Sequence, residues 1–285
     1  MITTKELQYV DTWAAKTPMP GIEYSLETLE YIKKCVELFN EKYKNKEYNI
    51  IFSNGDEIEL EILDKNLCHM LGIDYNNIKN EYFSMYRKKV FGTSNDNFTS
   101  YNLLELIINN AEKVAEMDNN PHNKAKAINY YKSRIKCEIF DKLCDFSSFN
   151  YGAINFVGNK EEVEYDKQKT LFIPSNEPIC PYFMMHIKLE EENKTYIPAS
   201  TLAPLNPKSF FENQEVIIPT QILITDEERL IKKTATASEK IKLLTLYKSI
   251  INKYQIPNNI NIYGDYESLL NDMTREQIKV NTKTL

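Results

Sequence analysis

Glycine is scarce in this chain, 7 in 285 residues, and no GxGxxG or GxxxxGK[ST] run occurs. Loops that cradle a nucleotide's phosphates need glycine at those spacings, because the backbone must approach the ligand closely. Their absence argues against the common nucleotide-binding folds. HExxH, an EF-hand loop and a GxSxG elbow are missing too, which removes the usual sequence support for zinc proteases, calcium sensors and α/β-hydrolases. There is no excess of positive charge: the net charge is −6. A protein that grips long duplex DNA is usually basic, since its affinity comes from displaced counterions. No apolar run approaches the roughly 20 residues that span a bilayer. The opening MITTKELQYVDTWAAKTPMP has no basic stretch followed by an apolar one, as a secretory leader would. We expect a cytoplasmic protein with no membrane association. The five cysteines are odd in number and form no CxxC pair, which fits reduced thiols. Neither a metal nor another cofactor is expected, since zinc alone needs about four converging ligands.

What is present is ordinary globular material, 42% hydrophobic and 27% charged, in a chain long enough for a sizeable core. The many Asn, Ile, Lys and Tyr residues match the coding bias of an AT-rich genome and carry little functional information. Residues 1–24 read as a lead-in broken at Pro18-Met19-Pro20-Gly21. The spacing of Leu29, Ile32, Val36, Phe39 and Tyr43 predicts a helix over 25–44, with Ser25 as its N-cap. A hairpin follows, 48–52 and 57–63, around Ser53-Asn54-Gly55-Asp56, because Asn-Gly tolerates the positive φ of a tight turn. Asp64 then caps a short helix over 65–71, and Gly72 ends it. Helices are expected over 99–117 and 124–144, the second carrying Cys137 and Cys144 on its core face. Strands are expected over 153–157, 169–173, 182–189, 195–198 and 216–224, the last interrupted by Pro219. From Asp226 the chain reads helical again, most strongly over 238–254 and then 266–278. Segregated runs of helices and strands indicate an α+β fold. We expect an N-terminal helix and β-hairpin, a helical middle, a small mostly antiparallel sheet and C-terminal helices. The core would span 25–224, and 225–285 would form a helical extension.

With 3 histidines, each can be weighed. His122 follows Asn120-Pro121 and reads as a loop residue. His186 lies in the strand Met184-Met185-His186-Ile187-Lys188 and reads as a hydrogen-bonded sheet residue. His69 lies on the short helix after the hairpin. It either packs there with one partner or acts as a general acid or base, since imidazole titrates near neutral pH. Arg87, Lys88, Lys89, Lys124, Lys126, Lys132, Arg134 and Lys136 gather in the middle of the chain among Tyr82, Phe83, Tyr86, Tyr130 and Tyr131. They form either solvated helix faces or a phosphate-binding patch with aromatics available for base stacking.

The run IIFSNGDEIELEIL into NLCHMLGI resembles the N-terminal motif of the phage-associated barnase/EndoU/colicin/RelE-like nuclease domains. There a hairpin leads into a helix with a His-Leu-x-Gly-like signature. Here it reads His69-Met70-Leu71-Gly72, Met70 departing from the commoner Leu. A later Tyr/Pro/Ser-like motif of that family is similar to TYIPAST, residues 195–201. The resemblance covers 34–202 and leaves the C-terminal region unexplained. It implies metal-independent cleavage of RNA, in which a base draws the proton of a ribose 2′-hydroxyl and an acid protonates the leaving oxygen. His69 would be the acid or base and Ser200 or Thr201 a contact to the phosphate. Arg87, Lys88 and Lys136, chosen by charge, and Tyr196 of the same TYIPAST run are the expected substrate contacts. Two other readings stand beside this one, and the acidic charge and aromatic content suit the first of them equally well. The first is a non-catalytic phage-encoded protein that binds and inhibits a host defence complex; the second is a structural or accessory phage protein. RNA and a host or phage protein are thus the expected partners, and the oligomeric state stays open.

Overall fold

The computed structural model describes residues 26–73, 90, 92, 100–120, 130–143, 145–155, 168–174, 182–202, 215–227 and 229–255. The first helix, α1 (Leu26–Lys42), forms where its apolar spacing predicts it. Leu29, Ile32, Val36, Phe39 and the following Tyr43 are all buried. The Tyr48 hydroxyl donates to the Lys42 carbonyl at 2.6 Å and closes the helix end. The hairpin β1 (Lys46–Phe52) and β2 (Glu57–Glu61) pairs antiparallel with Tyr48 opposite Leu60. Gly55 takes φ 88° at its turn, and the Asn54 side chain accepts from the Asp56 amide at 2.9 Å. The short helix α2 (Asp64–Met70) begins at Asp64 itself, with Leu63 at the cap position, so Asp64 is the first helical residue and not the cap.

The expected single helix over 99–117 is two helices, α3 (Ser100–Asn109) and α4 (Ala111–Asn119). Asn110 breaks them with φ −122° and ψ 29°. Its side-chain amide donates to the Leu106 carbonyl at 2.9 Å and competes with the backbone for that acceptor. The helix α5 (Tyr130–Leu143) follows, with Cys137 buried. The lead-in, the segment 80–89, Cys144, His122 and the helix expected over 266–278 lie outside the described residues.

The sheet overturns the expected fold class. Nine strands among the described residues form one curled mixed sheet, close to a half-barrel, and not a small antiparallel one. Its further strands are β3 (Gly152–Asn155), β4 (Gln168–Pro174), β5 (Tyr182–Glu190), β6 (Thr195–Leu202), β7 (Glu215–Ile217), β8 (Pro219–Asp226) and β9 (Arg229–Thr234). The order is β7-β3-β4-β5-β6-β2-β1-β8-β9. The early hairpin therefore joins the later strands, through a parallel pairing of β2 with β6 at Leu60 and Tyr196. The region after Asp226 is not helical at first: β9 turns back on β8, and β8 runs across position 224, where the core was expected to end.

The curl has a local cause. β7 pairs with β3 near one margin of the sheet, and β8 pairs with β1 near the other. Only Ile218 separates β7 from β8, so the two margins are held together. Pro219 stands at that break, where a residue without an N–H cannot continue a ladder. Ile218 is held instead by Ser53 of the hairpin turn, which donates its amide to the Ile218 carbonyl at 2.9 Å and accepts the Ile218 amide on its hydroxyl at 3.2 Å. Across the curl, Lys169 of β4 reaches Asp56 of the same turn at 3.2 Å.

One face of the sheet carries Ile50, Leu60, Met185, Leu171 and Ile222, which merge into one core with the apolar faces of α1 to α5. The helix α6 (Ala237–Tyr254) lies on the other side. Its Tyr247 ring meets Phe172 edge-on at 4.6 Å, and Leu243 and Leu244 cluster with Ile218. Among the described residues no helix is long and apolar enough to cross a membrane.

Candidate functional site

The site is built around the end of α2. Seven residues make a helix of about two turns, enough to give it a buried and an open side. Leu67, Cys68, Met70 and Leu71 are buried, while His69 between them is exposed. The residue one turn earlier, Lys65, is exposed as well. Positions four apart are neighbours on a helix surface, so the imidazole of His69 and the ammonium of Lys65 share the open side. Lys65 pairs with Glu190 of β5 at 2.6 Å. Asn66 donates to the Pro198 carbonyl of β6 at 3.2 Å and ties the same helix to the sheet.

The carbonyl end of α2 is fully tied down. Gly72 takes φ 79°, its amide donates to the His69 carbonyl at 3.1 Å, and the Ile73 amide donates to the Cys68 carbonyl at 2.8 Å. That is the reciprocal pair by which a glycine in the left-handed region closes a helix. Two side chains from distant elements complete it. Lys136 of α5, itself only 3% exposed, donates from Nζ to the His69 carbonyl at 3.3 Å. Thr201 of β6, fully buried, donates from Oγ1 to the Met70 carbonyl at 3.3 Å. A cation suits this end of a helix, where the unpaired carbonyls concentrate negative charge. The backbone that carries His69 is thus held by its own glycine closure and by two other elements, α5 and β6, while the residue stays exposed.

The expected site residues separate into groups. His69, Lys136 and Thr201 are brought together, the last two through carbonyls of the His69-Met70 pair. Ser200 stands in β6 opposite His186. Tyr196 is buried in the core beside the β2–β6 junction. Arg87 and Lys88 lie outside the described residues. His186 has the sheet role read for it: Nδ1 lies 2.7 Å from the Thr170 hydroxyl of β4, and burial pushes its pKa down.

Sequence reasoning missed Lys65 and Glu61. Lys65 was legible, because it lies four residues before His69 on the same helix. Both line a cleft of about 330 Å³ with Lys44, Asn45 and Asp64, on the side of α2 away from Gly72. Burial, and then the charges of Glu47 and Glu190, hold the Glu61 carboxyl above its usual range. The cleft and the open side of α2 therefore share Lys65, with the Glu61 carboxyl at the end of β2 on one side of it and the His69 imidazole further along the helix on the other. Among the described residues no three His, Cys, Asp or Glu side chains come together as metal ligands would. Comparison with protein-family models, with curated proteins and with solved structures finds no match.

Proposed function

We propose that this chain is a metal-independent ribonuclease-like protein in which His69 transfers the proton. The observation that carries the reading is the exposed His69 ring on a helix end whose carbonyls are held by the buried Lys136 and Thr201. A general acid or base works only if its geometry is held while its ring stays open to substrate. The resemblance of NLCHMLGI to the phage-associated nuclease domains names the reaction.

In that reaction the neutral His69 ring takes the proton of a ribose 2′-hydroxyl while water protonates the leaving 5′-oxygen, or the protonated ring donates to that oxygen while water takes the 2′ proton. The 2′-oxygen attacks phosphorus, the bond to the 5′-oxygen breaks, and a 2′,3′-cyclic phosphate remains. Lys65 is the cation on the same helix face and would exchange its exposed pairing with Glu190 for a phosphate oxygen in the transition state. Lys136 acts as a positioning residue, through the His69 carbonyl. The role read for Thr201 changes in the same way, from a phosphate contact to a hydrogen bond that holds Met70.

The test is cleavage of end-labelled RNAs of varied sequence in EDTA by the wild type, His69→Ala and Lys65→Ala. The wild type should leave cyclic phosphate ends. His69→Ala should lose about 10²–10⁴-fold in rate, the usual worth of a positioned acid or base, with an unchanged circular dichroism spectrum. A wild type that cuts none of the RNAs, or a His69→Ala chain that cuts as fast, overturns the proposal.

A further inference from the structure

β9 closes the strand order on one side, and among the described residues only β8 pairs with it. An edge strand leaves alternate N–H and C=O groups without a ladder partner and is a template for another strand. Two features of β9 bear on what that strand would be.

The first is apolar exposure. Leu230 is 69% exposed and Ile231 is 43% exposed. They are consecutive, so they stand on opposite faces of the sheet. Ile231 sits opposite Ile224 and Leu230 opposite Thr225. A helix or a membrane laid on one face would cover one of them and leave the other in water. A strand added at the edge runs beside both.

The second is charge. Arg229, Lys232 and Lys233 occur in six residues of β9 with no carboxylate among them, on a chain of net charge −6. Lys233 is used within the fold, donating to the Ser147 carbonyl at 2.9 Å. Arg229 and Lys232 are exposed. Arg229 shares a face with Ile231, and Lys232 shares the other with Leu230, so each face of the edge offers one cation beside one apolar side chain. A second copy of β9 would bring the same cations against each other, and like charges across a strand pair are unfavourable. Edge lysines discourage self-pairing for this reason. Against an acidic strand the same cations attract.

We propose that β9 receives an extended acidic segment of a partner protein as an added strand. The matching segment has the order acidic, apolar, apolar, acidic, read opposite Arg229, Leu230, Ile231 and Lys232. That order is a palindrome, so it fits a partner running in either direction. Main-chain hydrogen bonds supply affinity and the alternate side chains supply selectivity. The inference does not depend on the reading of His69.

The experiment is selection from a random-peptide display library, about twelve residues per peptide, against the full-length chain and against its Arg229→Glu/Lys232→Glu form. Both substitutions are at exposed positions, and urea unfolding checks that the fold is kept. The wild type should enrich peptides with two carboxylates flanking two apolar residues. Synthetic copies of these should bind at least about tenfold more weakly to the charge-reversed chain. The charge-reversed chain should instead enrich peptides with lysine or arginine at the same two places. No enrichment, enriched peptides without that order, or equal binding to both chains overturns the proposal. So does a wild type that sediments as a dimer and becomes monomeric on Ile231→Lys, since β9 then pairs with a second copy.

Discussion

Lys136 and Thr201 each place one polar group on a carbonyl of the helix that carries His69. Both were expected to face substrate, and both are buried. Their types were visible in the sequence, but the partner of each lies far along the chain, so nothing local could name it. Thr201→Val removes the hydroxyl and leaves the Met70 carbonyl without that donor. It should cost about 1–2 kcal/mol in urea unfolding, the usual penalty for a buried polar group left short of a partner. Lys136→Met keeps the stem and removes the charged donor, and should cost about 2 kcal/mol. If His69 acts as proposed, this variant also slows RNA cleavage under conditions where it is fully folded. A stable variant with unchanged cleavage would leave Lys136 no positioning role.

His186 makes a second residue-scale prediction. Burial lowers its pKa below the ordinary 6.5, so the folded state prefers the neutral ring. At higher pH the ring is neutral in both states and nothing is lost. As the pH falls through about 6.5 the unfolded chain takes up a proton that the folded chain resists, and stability declines toward the lower folded value. The urea midpoint should therefore drop from pH 7.5 to 5.5 and drop less in His186→Gln. An equal drop in both chains would assign the effect to other groups.

At the scale of elements, the close approach of β3 to its neighbours depends on Gly152. A Cβ there would overlap the Phe172 ring and lie 3.3 Å from the Ile217 carbonyl oxygen. Phe172 cannot swing away, because Tyr247 of α6 packs on it. Gly152→Ala should destabilise the fold by about 1–3 kcal/mol, the range for overpacking a filled core, read as a lower thermal midpoint. α6 opens with a capping box. Glu239 accepts from the Thr236 amide and hydroxyl at 2.8 Å each, and the Glu239 amide donates back to the Thr236 hydroxyl at 3.2 Å. Thr236→Ala should cost about 1 kcal/mol; a loss near zero in urea unfolding would mean the box is not formed. Thr236-Ala237-Ser238-Glu239 is legible as that signal, whereas the helical reading from Asp226 runs through it without a start there. β9 offered no such signal. Arg-Leu-Ile-Lys-Lys-Thr alternates neither as a strand nor as a helix face, and only pairing with β8 makes it extended.

Over the whole molecule, protection should follow the sheet order. β1 and β5 have strand neighbours on both sides and buried side chains at their centres, whereas β9 is an edge with exposed residues along most of its length. Amide hydrogen exchange should be slowest in β1 and β5 and fastest, among the strands, in β9. A β9 as protected as β5 in the isolated chain would mean its edge is already covered.

The sequence by itself determines the local pieces: the buried stripe of α1, the Asn-Gly hairpin, the glycine that ends α2 and most strand positions. Each of these is written in a short period or a turn residue that acts within a few neighbours. The tertiary structure alone decides that the hairpin and the later strands share one curled sheet, joined through Ile218 and the β2–β6 pairing. It alone decides that His69 faces solvent while Lys136 and Thr201 turn inward to hold its backbone. These are contacts between segments 67 and 131 residues apart. Pairings at that separation follow from which apolar faces can be buried together, and no local period records that choice.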